Sequence, residues 1–208
     1  MLWFIIVILV GDSAVGKTAI LSKYIKGIFP ISPIPTIAIE FATKIIQIKE
    51  GGYIKAQIWD TAGQDRYKAI VANHYRRAVG ALVVFDVTKR STFEHVENWL
   101  NDIKVLAEKN CISYLVGNKV DLLDMHEKNR EVSVEEAKLL ARKNNMKYYE
   151  TSALTSVKIN DCFEDLLQEI YNERRKIRSG SMMQGNGNRI LILNKKENNN
   201  GDSLVNCC

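Results

Sequence analysis

Ile5-Ile6-Val7-Ile8-Leu9-Val10 runs without a break into Gly11-Asp12-Ser13-Ala14-Val15-Gly16-Lys17-Thr18. An uninterrupted apolar run is what a strand buried on both faces of a parallel sheet requires. The loop after it fits the spacing G-x-x-x-x-G-K-[ST], and a helical segment follows. Such a loop turns tightly, so that its backbone N–H groups and the helix N-terminus converge on an anion. Ser13, Ala14, Val15 and Gly16 then form the phosphate cradle, Lys17 reaches the β- and γ-phosphates, and the Thr18 hydroxyl binds Mg²⁺. A chance glycine turn is the competing interpretation, and the buried strand in front of the loop weighs against it.

The rest of the chain repeats the alternation of strand and helix. Ala81 to Phe85 is a second continuous apolar run. Ile54 to Ile58 alternates with period two, and Gly51-Gly52 separates it from the β-branched stretch Phe41 to Ile48, which predicts a hairpin. Phe93, Val96, Leu100, Ile103 and Ala107 fall on one helical face, with Ser91-x-x-Glu94 as a capping box in front. A second box, Ser133-x-x-Glu136, opens a helix running towards Lys143. Ile159, Phe163, Leu166, Leu167 and Ile170 mark the last amphipathic helix, which fades into Arg174 to Arg178. The expectation is an α/β sheet covered on both sides. From Ser179 onwards Asn, Gly, Ser and Lys dominate and the periodicity disappears, which predicts a body over 1–178 and a flexible tail over 179–208.

Composition narrows the function classes. The 208 residues contain four cysteines (Cys111, Cys162, Cys207, Cys208), too few and too oddly spaced for a disulfide scaffold. The apolar run from Met1 to Val10 is half the length of a membrane-spanning helix and lacks the basic leader of a signal peptide. Of the net charge of +5, residues 1–172 carry almost none, with 22 basic and 21 acidic side chains. Residues 173–208 carry seven basic and three acidic, so the excess lies in this last stretch, from the end of the last helix onwards. A neutral body without a helix-turn-helix, zinc-finger or RNA-recognition pattern argues against nucleic acid as a partner. A basic tail suits an anionic membrane surface if an anchor lies beside it, and is otherwise a solvated linker.

Two later segments identify the base. Val116-Gly117-Asn118-Lys119-Val120-Asp121 follows an apolar run, and its Asn-Lys-x-Asp is the guanine-reading pattern. The Asp121 carboxylate accepts N–H bonds from guanine N1 and N2, a donor pair that adenine lacks. A buried carboxylate facing the wrong base stays unpaired, which makes the discrimination large. Glu150-Thr151-Ser152-Ala153-Leu154 matches the short loop whose backbone N–H, at Ala153, meets guanine O6, with Ser152 and Leu154 beside it. Each fragment alone is a common match; all of them in this order are not. Between them lies Trp59-Asp60-Thr61-Ala62-Gly63-Gln64. In this D-x-x-G-Q pattern Asp60 holds Mg²⁺ through water, the Gly63 N–H touches the γ-phosphate, and Gln64 orients the attacking water.

With these motifs in place the sequence resembles a small GTPase of the Ras superfamily, and within it the Rab family, over about residues 3 to 175. Glu40-Phe41, Trp59 to Tyr67, Tyr75-Arg76 and the closing Cys207-Cys208 carry the Rab likeness, and Lys55 to Gln64 with Ala78 to Leu82 is most similar to the recycling-endosome subgroup. The resemblance implies the P-loop small G-protein fold, a mixed, mostly parallel six-stranded sheet with helices on both faces. It implies a slow GTPase that switches between GTP and GDP states in vesicle trafficking. Its partners would be effectors, an exchange factor, an activating protein, a GDP dissociation inhibitor and the prenylation machinery. It gives Thr36 the role of completing Mg²⁺ coordination, and Phe29 that of packing on the guanine. Ile37, Phe41, Trp59 and His74 would form the effector surface. Cys207 and Cys208 become a doubly prenylated anchor, since one lipid gives only marginal membrane binding. The expected location is the cytoplasmic face of endosomal, Golgi or vesicle membranes, with a cytosolic pool.

Departures from the Rab pattern keep other readings open. Ala14 stands where Gly is commoner, Ala38 and Arg77 replace glycines, and His74 replaces a tyrosine, as either a titrating sensor or a filler. Ile6 occupies a usual lysine position and the polar leader is missing, so a start other than Met1 is one interpretation. Pro33 and Pro35 just before Thr36 predict a stiffer switch. A Rab-shaped scaffold that does not hydrolyse GTP is one alternative. A nucleotide kinase or ATPase on the same loop is another, and Asp121 argues against it. His95 and His126 lack the company of a metal site.

Overall fold

A computed structural model describes residues 2–30, 40–49, 51–61, 75–124 and 129–193; for Glu40, Asp124 and residues 179–193 it describes the backbone alone. Thr36, Ile37, Gly63, Gln64, His74, Cys207 and Cys208 lie outside the described residues, as do Pro33, Pro35 and Ala38.

The apolar run at the start forms β1 (Leu2–Val10), followed by α1 (Lys17–Lys26). The Gly51-Gly52 hairpin joins β2 (Glu40–Gln47) to β3 (Tyr53–Asp60) in antiparallel register, with Phe41 opposite Trp59. Next come β4 (Gly80–Asp86), α2 (Arg90–Glu94), α3 (Val96–Leu106), β5 (Ile112–Asn118) and α4 (Asp121–Asp124). The chain then continues through α5 (Val134–Lys143), β6 (Lys147–Thr151) and α6 (Ile159–Leu193). The six strands lie in the order β2-β3-β1-β4-β5-β6, and all neighbours except β2 and β3 run parallel. This is the mixed, mostly parallel sheet expected. Parallel strands buried on both faces explain why β4 is buried at every position.

Helices cover both faces. On one, Ile8, Val83 and Phe85 pack with Trp99, Leu100 and Ile103 of α3 and Ala137 and Ala141 of α5. On the other, a side chain at Gly80 would run into Ile170 of α6 at 2.5 Å, so glycine there lets helix and sheet close up. Tyr24 of α1 stacks on Phe163 of α6 with ring centroids 4.0 Å apart. Residues 1–170 form one compact unit and residues 171–208 a second. In the second, the backbone stays helical to Leu193, beyond Ser179, where loss of periodicity had marked the start of the tail. Nucleation is the costly step of helix formation, and it is already met by the buried turns from Ile159 to Ile170.

One local expectation needs correction. Ser91 and Glu94 do not form a capping box. The segment is two helices, with His95 between them, and Lys89 rather than Ser91 at the first N-cap. The free Arg90 N–H is taken instead by the Glu131 carboxylate at 2.6 Å, while Glu94 lies 3.5 Å from the Arg90 guanidinium. The Ser133–Glu136 box forms as expected, each side chain accepting from the other residue's N–H. Cys111 lies one residue before β5 and is half-buried; Cys162 is buried on α6. Burial pushes the Cys111 thiol up to about 12 and that of Cys162 higher still.

Among the described residues, no helix is long and apolar enough to cross a membrane.

Candidate nucleotide site

The parallel strands bring their carboxyl ends to one rim, which is where ligands bind in open α/β sheets. Asp60 ends β3 and pairs in register with Leu9, just before the glycine loop. Asp86, Asn118 and Thr151 close β4, β5 and β6 and lie side by side in register. Segments far apart in sequence therefore meet along one edge.

The loop from Gly11 to Gly16 is shaped by what its backbone must avoid. Gly11 has φ +139°, and a Cβ there would sit 2.1 Å from the Val84 carbonyl oxygen. Gly16 has φ +101°, and a Cβ there would meet the Asn118 side-chain nitrogen at 2.3 Å. Ala14 is left-handed too, at φ +64°, which explains physically why glycine is the commoner residue there. Lys17 folds back across the loop, donating to the Gly11 and Asp12 carbonyls at 2.8 Å each. Burial lowers the Lys17 ammonium to about 8, against the opposing pull of the Asp60 and Asp12 carboxylates. A phosphate beside it would return the charge that burial disfavours.

The Thr18 hydroxyl donates to the Asp60 carboxylate, and Asp60 is fully buried. A hydroxyl and a carboxylate side by side at a phosphate loop are hard oxygen donors. They fit Mg²⁺, which takes one or two protein ligands alongside phosphates.

The segments expected to read the base interlock. The Asn118 amide donates to the Val15 carbonyl at 2.9 Å and accepts from the Thr151 hydroxyl at 3.1 Å. The Ser152 hydroxyl donates to the Asp121 carboxylate at 2.6 Å and accepts from the Thr155 N–H at 3.0 Å. That leaves Ala153, itself buried, on the adjoining loop, with Leu154 more exposed. Lys119, at φ +73°, sets its ammonium 2.7 Å from the Asp86 carboxylate. Burial pushes the Asp86 carboxyl up, but bonds from Lys119 and from the Thr88 hydroxyl and N–H outweigh it and hold it below its ordinary value. Phe29 is exposed after α1, and Phe41 stacks on Trp59 with centroids 4.8 Å apart.

Ser13, Val15, Gly16, Lys17, Thr18 and Asp60 thus share one rim with Asn118, Lys119, Asp121 and Ser152. Sequence reasoning missed Asp86, Thr88 and Thr151. Asp86 had a legible sign, a lone carboxylate closing a fully apolar strand. Thr151 had none, because its partner Asn118 is 33 residues away.

Comparison with known proteins agrees with this geometry. The Ras family model matches residues 6–172. The chain is 42% identical over 191 residues to the Ras-related protein Rab11A of Lotus japonicus, spanning 91% of this chain and 82% of that one. It is 45% identical over 181 residues to the Ras-related protein rab-11.1 of Caenorhabditis elegans, spanning 87% and 83%. Against the Ras-related protein YPTC6 of Chlamydomonas reinhardtii it is 40% identical over 206 residues, spanning 97% and 93%. The glycine loop, the strand-end rim and this likeness together place the chain in the Ras family, as a Rab-type, Rab11-like small GTPase of vesicle trafficking that binds guanine nucleotide and hydrolyses GTP.

Proposed function

We propose that the nucleotide lies along the rim from Gly11 to Leu154, with Lys17 on its phosphates and Asp121 on its base. The observation that carries this is the Asn118 amide on the Val15 carbonyl, which joins the base-reading segment to the phosphate loop. Phosphate oxygens accept from the loop N–H groups of Ser13 to Thr18, so the anion is held by dipoles already oriented towards it. The Ser152 hydroxyl fixes the Asp121 carboxylate for guanine N1 and N2, and the Ala153 N–H faces guanine O6. Phe29 covers the base and Gly63 gives its N–H to the γ-phosphate. Mg²⁺, held by Thr18, Thr36 and Asp60, supplies neutralisation of the phosphate charge that grows during transfer. Gln64 orients water for in-line attack, and hydrolysis stays slow until an activating protein contributes.

Ile37, Phe41, Trp59 and His74 would present the surface that effectors read in the GTP state. Prenyl groups on Cys207 and Cys208 would hold the chain to the cytoplasmic face of endosomal or other vesicle membranes, helped by the basic residues from Arg174 to Lys196. An exchange factor and a GDP dissociation inhibitor would complete the cycle.

Thermal melting with GTP, GDP and ATP tests the nucleotide assignment. Guanine nucleotides raise the midpoint and ATP does not, while Asp121→Ala loses the distinction. Equal stabilisation by ATP would overturn it. Cys207→Ser/Cys208→Ser leaves those midpoints unchanged but moves the protein from membranes to cytosol.

A further inference from the structure

Asn118 holds one end of the phosphate loop through Val15. The other end is held by side chains at the beginning of α3. The Asp12 carboxylate spans to the beginning of α3, where His95 Nδ1 lies 2.7 Å from one oxygen and Trp99 Nε1 donates to the other at 2.9 Å. An ionised carboxylate only accepts, so His95 Nδ1 carries the proton of this contact. His95 and Trp99 are four residues apart across the first turn of α3, which puts both on one face. His95 is about half exposed and Trp99 is buried. The backbone of the same Asp12 does a second job, since its carbonyl accepts from Lys17 at 2.8 Å.

Between the two tie points sits Ala14, at φ +64°. A side-chain-bearing residue stays in that region only where its surroundings over-determine it.

We propose that His95 and Trp99 are positioning residues for nucleotide binding. They grip Asp12, and through it hold the phosphate loop in the shape that aims its N–H groups and Lys17 at one point. The inference rests on the loop being the seat of the nucleotide. Releasing Asp12 removes no group that touches the nucleotide. It frees the loop to relax into shapes that relieve Ala14 and misdirect Lys17, and the loss appears as faster release. The geometry also sets which substitution is tolerated. Asn Nδ2 stands the same number of bonds from Cβ as His Nδ1, so Asn can donate to Asp12 and Ala cannot.

The experiment is release of a fluorescently labelled GDP from the full-length protein in Mg²⁺, chased with unlabelled GDP. His95→Ala and Trp99→Phe are each expected to release it roughly three- to tenfold faster, the effect of one charge-assisted hydrogen bond at a partly exposed site. His95→Asn stays within about twofold of the native rate, the size of a residual geometric misfit. In an Asp12→Ala background, His95→Ala adds nothing. Because His95 is half exposed, its variants keep the fold even if Trp99→Phe does not. Native release from His95→Ala overturns the proposal. So does His95→Asn releasing as fast as His95→Ala, which would make the imidazole a space-filler. Lys17→Ala run alongside separates the two readings: if it loses GDP while His95→Ala behaves as native, the clamp alone falls. If Lys17→Ala keeps native affinity, the loop is not the seat and both fall.

Discussion

Asn118 at the end of β5 donates to the carbonyl of Val15 in the phosphate loop, 103 residues earlier, at 2.9 Å. In the proposed site one amide would thus couple base recognition to phosphate binding, and Gly16 has to lack a side chain to let it pass. Asn118→Ala removes the tie and leaves the buried Val15 carbonyl and Thr151 hydroxyl without their partner. The expected cost is about 2–3 kcal/mol in nucleotide affinity, on the order of 30- to 150-fold in GDP dissociation constant. Calorimetric titration of GDP measures it. An unchanged constant would mean the bond is incidental.

Ala14 offers the opposite kind of test. Its φ of +64° costs an alanine what it does not cost a glycine. Ala14→Gly should therefore stabilise the protein by about 1 kcal/mol, raising the melting midpoint by about 2–4 °C for a body of this size. A lowered midpoint would show that the methyl group makes contacts worth more than the strain.

The two Ser-x-x-Glu segments look alike in sequence and differ in the structure. Ser133→Ala loses a complete capping box and should cost about 1 kcal/mol, whereas Ser91→Ala should stay within about 0.5 kcal/mol. Paired chemical melts would show it, and equal losses would contradict the assignment. The comparison also shows what local sequence can reveal. A Ser-x-x-Glu spacing makes a capping box only where the serine is the residue at which the helix starts, and the spacing alone does not say where that is. At Ser91 the helix already begins at Arg90, with Lys89 as its N-cap, and the Arg90 N–H goes to Glu131, 41 residues on. The strand ends, the hairpin and the glycine loop were legible because each follows from periodicity or from spacing within a few residues. His95 looked solitary because its partner Asp12 lies 83 residues away. Asp86 went unread although Lys119 was identified, because the pairing runs between two strand ends brought together only by the sheet.

Asp86 makes the stability of this rim depend on acid. Burial raises its carboxyl, but the Lys119 and Thr88 bonds win, and its value in the folded protein is below the ordinary 3.8. A carboxyl depressed by folding contributes stability above its unfolded value and loses it as pH falls through the lower, folded one. Asp86→Ala should therefore cost about 1–3 kcal/mol at pH 7, and the gap to native protein should narrow below about pH 4. Urea unfolding at pH 7 and pH 3 compares them, and a gap that holds constant would refute the ion pair's role.

The thiols of the compact body bring a practical benefit. At pH 7 a thiol raised to about 12, as Cys111 is, exists as thiolate to only on the order of one part in 10⁵, and Cys162 is quieter still. Maleimide chemistry is thereby turned away from the two thiols of the body, so a dye or a lipid mimic meant for Cys207 and Cys208 leaves Cys111 and Cys162 in place.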